Sequence, residues 1–134
     1  MTVKLAKTSI DLAIVTNRLD EMTHFYRDVV GLEDAGQIAT RSTPGGTVSQ
    51  LKCGTTLIKL VRYADFATDD VPHGLGVMGY RYWTIHVTNI EEVVEACTRA
   101  GRPLFAPIKD IAPTIKIAIV EDPDGNLVEF LQHV

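Results

Sequence analysis

The strongest constraint in this sequence is internal, because its two halves repeat one pattern at a nearly constant spacing. Ser9-Ile10-Asp11-Leu12-Ala13-Ile14-Val15-Thr16 alternates toward Leu19, and Met22, Phe25, Tyr26, Val29 and Val30 then recur at helical spacing before Gly31. Tyr82-Trp83-Thr84-Ile85-His86-Val87 alternates in the same way toward Ile90. Val93, Val94, Cys97 and Ala100 follow at helical spacing before Gly101. Each stretch reads as a strand followed by an amphipathic helix with glycine near its C-terminal end. A shift of 71 places Asp11 on Tyr82, Ile14 on Ile85 and Leu19 on Ile90. Further on, Thr56-Leu57-Ile58-Lys59-Leu60-Val61 falls on Asn126-Leu127-Val128-Glu129-Phe130-Leu131 at a shift of 70. The one-residue change predicts a single loop insertion or deletion between the halves. A chain repeated in this way builds two like supersecondary units.

Between these segments the pattern predicts strands. Residues 37–41 and 47–53 flank the turn Pro44-Gly45-Gly46. In the second half, 103–107 reads as an edge strand, because proline cannot donate to a central ladder. Residues 114–120 read as a strand with β-branched residues, and Asp122-Pro123-Asp124-Gly125-Asn126 turns into the last strand. The expected architecture is α+β, with two tandem βαβββ modules at 8–63 and 80–133. Residues 64–79 lack periodicity and are expected to be a linker and a candidate lid.

Composition removes several function classes. The 134 residues carry 13 Lys and Arg against 17 Asp and Glu, a net charge of -4 that gives no basic face for nucleic acid. No apolar run approaches the roughly 18 residues needed to span a bilayer. The first residues lack the apolar stretch of a secretion signal, and Cys53 and Cys97 belong to no CxxC pair. The expectation is a cytoplasmic protein with reduced, structural cysteines.

Two motifs carry a resemblance. Phe25-Tyr26-Arg27-Asp28-Val29-Val30-Gly31-Leu32 and Glu121-Asp122-Pro123-Asp124-Gly125-Asn126-Leu127-Val128-Glu129-Phe130 resemble the helix end and final turn-strand of the vicinal-oxygen-chelate superfamily. Its members include glyoxalase I, fosfomycin and bleomycin resistance proteins, methylmalonyl-CoA epimerase and extradiol dioxygenases. The resemblance covers residues 9–132 and implies two βαβββ modules curled into a mixed-sheet cup, usually within a homodimer. It is nearly silent on the reaction, since one fold hosts many chemistries. Metal-dependent members place His, Glu, His and Glu on the first and last strands of the modules. Those positions fall here on Asp11, Lys59, Tyr82 and Glu129. Lys59 has no lone pair as an ammonium, and Tyr82 offers a phenol, an unusual metal ligand. The expectation is therefore no metal and no other cofactor.

Strand alternation assigns the faces. Leu12, Ile14, Ile58, Leu60, Trp83, Ile85, Val128 and Phe130 belong against the helices. Asp11, Ala13, Lys59, Tyr82, Thr84, His86 and Glu129 then face the cup. Asp11, Lys59, Tyr82 and Glu129 are the candidate catalytic residues, and Thr84 and His86 candidate ligand contacts. In the structural reading, Lys59 forms an ion pair with Glu129 or Asp11, and His86 is a polar rim residue. Cys97 and Trp83 read as packing, and the turn at 122–126 as structural, its Asp side chains bonding its backbone.

The constellation predicts a small-molecule enzyme performing metal-independent acid–base chemistry on a carbonyl-bearing metabolite, by an isomerase, lyase or hydrolytic step. Glu129 or Asp11 would be the base, with Lys59 stabilising charge on oxygen and Tyr82 donating a hydrogen bond. One alternative is a protein that sequesters a drug or metabolite, although 7% aromatic residues do not advertise a stacking groove. Another is a metal-dependent lyase or dioxygenase with rearranged ligands, such as Asp11 and Glu129 plus water.

Overall fold

In the computed structural model, which describes residues 2–41, 44–65 and 73–134, each half becomes a four-stranded mixed sheet backed by one helix. The first half runs β1 (Leu12–Val15), α1 (Leu19–Thr23) continuing as a π-helical turn (His24–Val29), β2 (Glu33–Ala39), β3 (Thr47–Cys53) and β4 (Thr56–Arg62). The second runs β5 (Tyr82–His86), α2 (Ile90–Arg99), β6 (Leu104–Ala112), β7 (Ile115–Glu121) and β8 (Leu127–His133). The sheet orders are β1-β4-β3-β2 and β5-β8-β7-β6. The first strand of each half lies parallel to the last, as a helical crossover requires, and the other neighbours are antiparallel. The fold is α+β, two tandem βαβββ modules forming a cup.

The apolar parity sets the core. Ile58, Leu60, Val128 and Phe130 are fully buried on the helix side, and Leu12, Ile14 and Trp83 pack against them. Leu19, Met22, Phe25 and Tyr26 come down from the first helix, and Ile90, Val94 and Cys97 from α2. At about 25 cal/mol per Å² of apolar surface removed from water, this continuous layer carries the fold. The opposite sheet face is left free to hold polar side chains.

The change of spacing between the halves lies inside the first helix, not in a loop. A shift of 71 carries Leu19, Thr23 and Tyr26 onto Ile90, Val94 and Cys97, and all six are buried. Gly31 nevertheless matches Gly101 at a shift of 70. The closing bonds show where the residue was gained. In α2 the Arg102 N–H donates to the Cys97 carbonyl at 3.0 Å, whereas in the first helix Leu32 N–H donates to Tyr26 at 2.9 Å. The π-helical turn absorbs the extra residue.

Three further differences have local causes. Strand β1 begins at Leu12 because the Asp11 carboxylate, rather than a strand carbonyl, accepts the Leu57 N–H at 2.8 Å. The expected edge strand at 103–107 is the edge strand β6, but it runs on to Ala112 with a register shift between Ala106 and Lys109, around Pro107. The β3–β4 hairpin closes with Cys53 opposite Thr56, while β7–β8 closes through a longer turn with Glu121 opposite Leu127. Of the linker and lid expected at 64–79, residues 66–72 lie outside the described residues. No helix among the described residues is long and apolar enough to cross a membrane.

Candidate functional site

Register fixes which side chains share the cup face. Ala13 lies opposite Lys59, and Lys59 opposite Gln50, on the first wall. On the second wall Tyr82 lies opposite Leu127, and Thr84 opposite Glu129. The outer edges of β1 and β5 pair with no strand among the described residues. A cleft of about 550 Å³ lies between them, lined by residues 10–15, residues 80–83, Asn126 and Leu127. A groove of about 440 Å³ on the helix side, between Val29–Val30 and α2, contains none of the candidate residues.

The structure brings some candidates together and separates others. The Thr84 hydroxyl donates to Glu129 Oε1 at 2.8 Å, and both residues are half-buried. Asp11 lines the cleft, but its carboxylate is held by Lys7 and by the Leu57 N–H. The Lys7 hydrogen bond, then the Leu57 amide, hold its carboxyl below the usual value. Lys59 is half-buried and forms no ion pair among the described residues. The expected pairing of Lys59 with Glu129 or Asp11 is therefore corrected. Asp11 has a nearer partner in Lys7, and Glu129 stands on the other wall with Thr84. Tyr82 lines the cleft and is 52% exposed. His86 is exposed, its ring stacked 6.2 Å from that of His133 with 9° between the planes.

The residues read as structural behave so. Burial pushes the Cys97 thiol up to about 11, which removes it as a nucleophile near neutral pH. Asp122 is fully buried and organises its turn. It accepts the N–H groups of Asp124 and Asn126, each at 2.9 Å, and the Asn126 side-chain amide. Its other oxygen accepts the Tyr26 hydroxyl at 2.6 Å from the first module's helix. Arg18 pairs with Asp124 at 2.9 Å beside it. Both motifs that carry the family resemblance thus meet in one polar seam between modules, and Gly125, at φ +88°, leaves room for the His73 ring.

The four positions do not fit a divalent metal. Lys59 offers no lone pair, the Asp11 carboxylate is already engaged, and Tyr82 is a phenol rather than an imidazole. Among the described residues no three His, Cys, Asp or Glu side chains are grouped to hold one.

Sequence parity missed Tyr80, Arg81 and Asn126 as cleft residues. A signal was present, since Tyr80-Arg81-Tyr82-Trp83 places three of the nine aromatic residues within four positions. The cleft at a free strand edge collects side chains of both parities, so a face assignment alone overlooks them. The expectation that no aromatic groove is advertised is corrected accordingly.

Comparisons with known proteins agree with this geometry. Residues 9–130 match the family described as Glyoxalase/Bleomycin resistance protein/Dioxygenase superfamily. A glyoxalase family protein from Bacillus cereus superposes with a TM-score of 0.84 at 18% identity, over 98% of this chain and 97% of that one. Lactoylglutathione lyase from Agrobacterium tumefaciens gives 0.66 at 21% identity, with 96% of each chain covered. A glyoxalase I mutant from Zea mays gives 0.75 at 17% identity over 92% of this chain and 44% of that one. No curated protein matches the sequence significantly.

Proposed function

Because the chain belongs to the Glyoxalase/Bleomycin resistance protein/Dioxygenase superfamily, we propose that it is a small-molecule enzyme that moves a proton on a carbonyl-bearing metabolite without the family's divalent metal. The supporting observation is the opposite charge carried by the cup faces of the two modules. One holds a half-buried ammonium, Lys59, with no ion-pair partner among the described residues, and the other a half-buried carboxylate, Glu129, positioned by Thr84. Glu129 takes a proton from the carbon beside the carbonyl. The electron pair moves to the carbonyl oxygen, where the Lys59 ammonium and the Tyr82 hydroxyl donate hydrogen bonds. Returning the proton elsewhere gives an isomerase; expelling a neighbouring group gives a lyase. Asp11 is the weaker base, since using it means breaking its contacts with Lys7 and Leu57.

The test follows exchange of C–H for deuterium in phenylpyruvate and in neutral phenylacetone, with protein whose metal content has been measured. Exchange above background by metal-free protein, lost in Glu129→Gln, is expected. Exchange that tracks bound metal sinks the reading and favours a metal-dependent relative. The aromatic cleft favours a second reading, sequestration, in which a ligand binds stoichiometrically and is released unchanged. The exposed apolar residues Ile10, Val15, Tyr80 and Tyr82 along the two edges support a homodimer, measurable by sedimentation. The free thiols of Cys53 and Cys97 support a cytoplasmic setting.

A further inference from the structure

We propose that the first wall of the cup is a carboxylate-binding site, so that the ligand of this protein is an organic acid with an apolar, flat body. This rests on the reading of the cup as the ligand site, and it names the chemical class that site takes.

Lys59 projects from the middle of its wall, between Gln50 on β3 and Ala13 on β1. Gln50 is half-buried and brings an amide donor onto the same face. Ala13 brings only a methyl group and itself lines the cleft, so the ammonium is screened from the cleft by the smallest available side chain. One step along the same face stand Lys52 with Leu57, and on the other side Val48 with Val61. The nearby carboxylate, Asp11, is committed to Lys7 and the Leu57 amide, although it feels the charge of Lys59. Lys52 has Glu33 opposite it on β2, which leaves Lys59 as the charge on this wall without a facing counter-ion among the described residues. A half-buried ammonium without a counter-ion attracts an anion, and charge-assisted hydrogen bonds are the strong ones.

The shape of the site selects the kind of anion. One ammonium and one amide suit a carboxylate. A phosphate dianion calls for a helix N-terminus or a cluster of backbone donors, and this wall offers strand side chains instead. From the carboxylate, a ligand passes Ala13 into the cleft between Tyr82 and the β1 edge, where a flat apolar body is received. The three N–H donors of Lys59 can serve both a carboxylate oxygen and an adjacent carbonyl oxygen, which joins this site to the proton transfer proposed above.

Titration calorimetry with benzoate, benzamide and inorganic phosphate tests this on the full chain. Benzoate is expected to bind at least tenfold more tightly than benzamide and phosphate, and to weaken with added salt. Lys59→Met is expected to lose roughly tenfold to hundredfold of the benzoate affinity, while Lys59→Arg keeps most of it. Equal binding of benzoate and benzamide overturns the proposal, as does phosphate binding more tightly than benzoate. If Lys59→Met does not fold, the wild-type preference for benzoate and its salt dependence decide alone. Benzoate binding without any deuterium exchange in phenylpyruvate leaves the acid site standing and removes the proton transfer. Exchange in phenylacetone as fast as in phenylpyruvate, with no benzoate preference, does the reverse.

Discussion

The two modules keep the same strand order, the same parallel first-to-last pairing and the same helix-side apolar positions, yet their cup walls differ in charge. The first wall carries Lys59, Gln50 and Lys52, the last with Glu33 opposite it; the second carries Glu129, Thr84, Tyr82 and His86. Burial explains what was preserved, because any loss from the shared core costs apolar contact in both modules at once. The cup faces pay no such penalty and were free to diverge into complementary halves. Their division of labour gives the largest expected effect. Glu129→Gln should reduce deuterium exchange about a hundredfold or more, while Asp11→Asn on the opposite wall changes it little. Equal losses from the two variants would break the assignment of acid and base to separate walls.

The hairpins differ next most strongly. The second module's turn hangs on Asp122, whose removal leaves the Tyr26 hydroxyl, two backbone N–H groups and the Asn126 amide without their acceptor. Asp122→Ala is expected to cost about 3 kcal/mol in denaturant unfolding, given the penalty for stranded buried donors. Thr55→Ala in the first module's exposed turn should stay within about 0.5 kcal/mol. A small effect at Asp122 would mean that the seam between modules is held by apolar packing alone.

The helices come third. Deleting Arg27 removes the residue that the π-helical turn accommodates and lets the first helix close over the same span as α2. Deleting Arg99 takes a residue from a regular helix and pulls its closing bond, from Arg102 to Cys97, out of register. The second deletion should cost about 2 kcal/mol more than the first, within the range for misplaced buried groups. Within the same helices, Thr23 occupies the place of Val94 and buries a hydroxyl that finds no hydrogen-bond partner among the described residues. Thr23→Val should therefore stabilise by about 1 kcal/mol, whereas Val94→Thr should destabilise.

These contrasts also show what the sequence makes legible. The period-2 alternation of Leu12, Ile14, Ile58 and Leu60 reports burial directly, so the strands and the helix face could be read from it. The family motifs anchored the fold, and the turn at 122–126 was recognisable as structural from its Pro, Gly and Asp residues. The location of the extra residue was not legible, because Met22, Phe25, Tyr26, Val29 and Val30 fit α-helical spacing closely enough to hide a π-helical turn. Nor was the pairing of Lys59, which depends on Lys7 reaching Asp11 from outside any repeated element. The cleft residues Tyr80 and Arg81 lie before β5 begins, where parity stops being informative.

The smallest expected effect separates two carboxylates by the sign of their pH dependence. Asp28, on the first helix, is exposed, and the Arg27 and His24 side chains hold its carboxyl down to about 2. Its weak, solvent-screened contribution is present above the ordinary carboxylate value and fades as pH falls toward its folded one. Asp122 behaves oppositely. Burial raises its carboxyl above the usual value, against the pull of the Tyr26 and Asn126 donors. Its stabilising contribution is thus complete below the unfolded value, about 3.9, and declines as pH rises through the folded one. Comparing wild type with Asp122→Asn cancels Asp28, which both share. The penalty of Asp122→Asn should therefore shrink as pH rises from the unfolded value, about 3.9, through the folded one. A penalty that grows as pH rises would show that the five donated hydrogen bonds outweigh burial and hold Asp122 ionised in the seam.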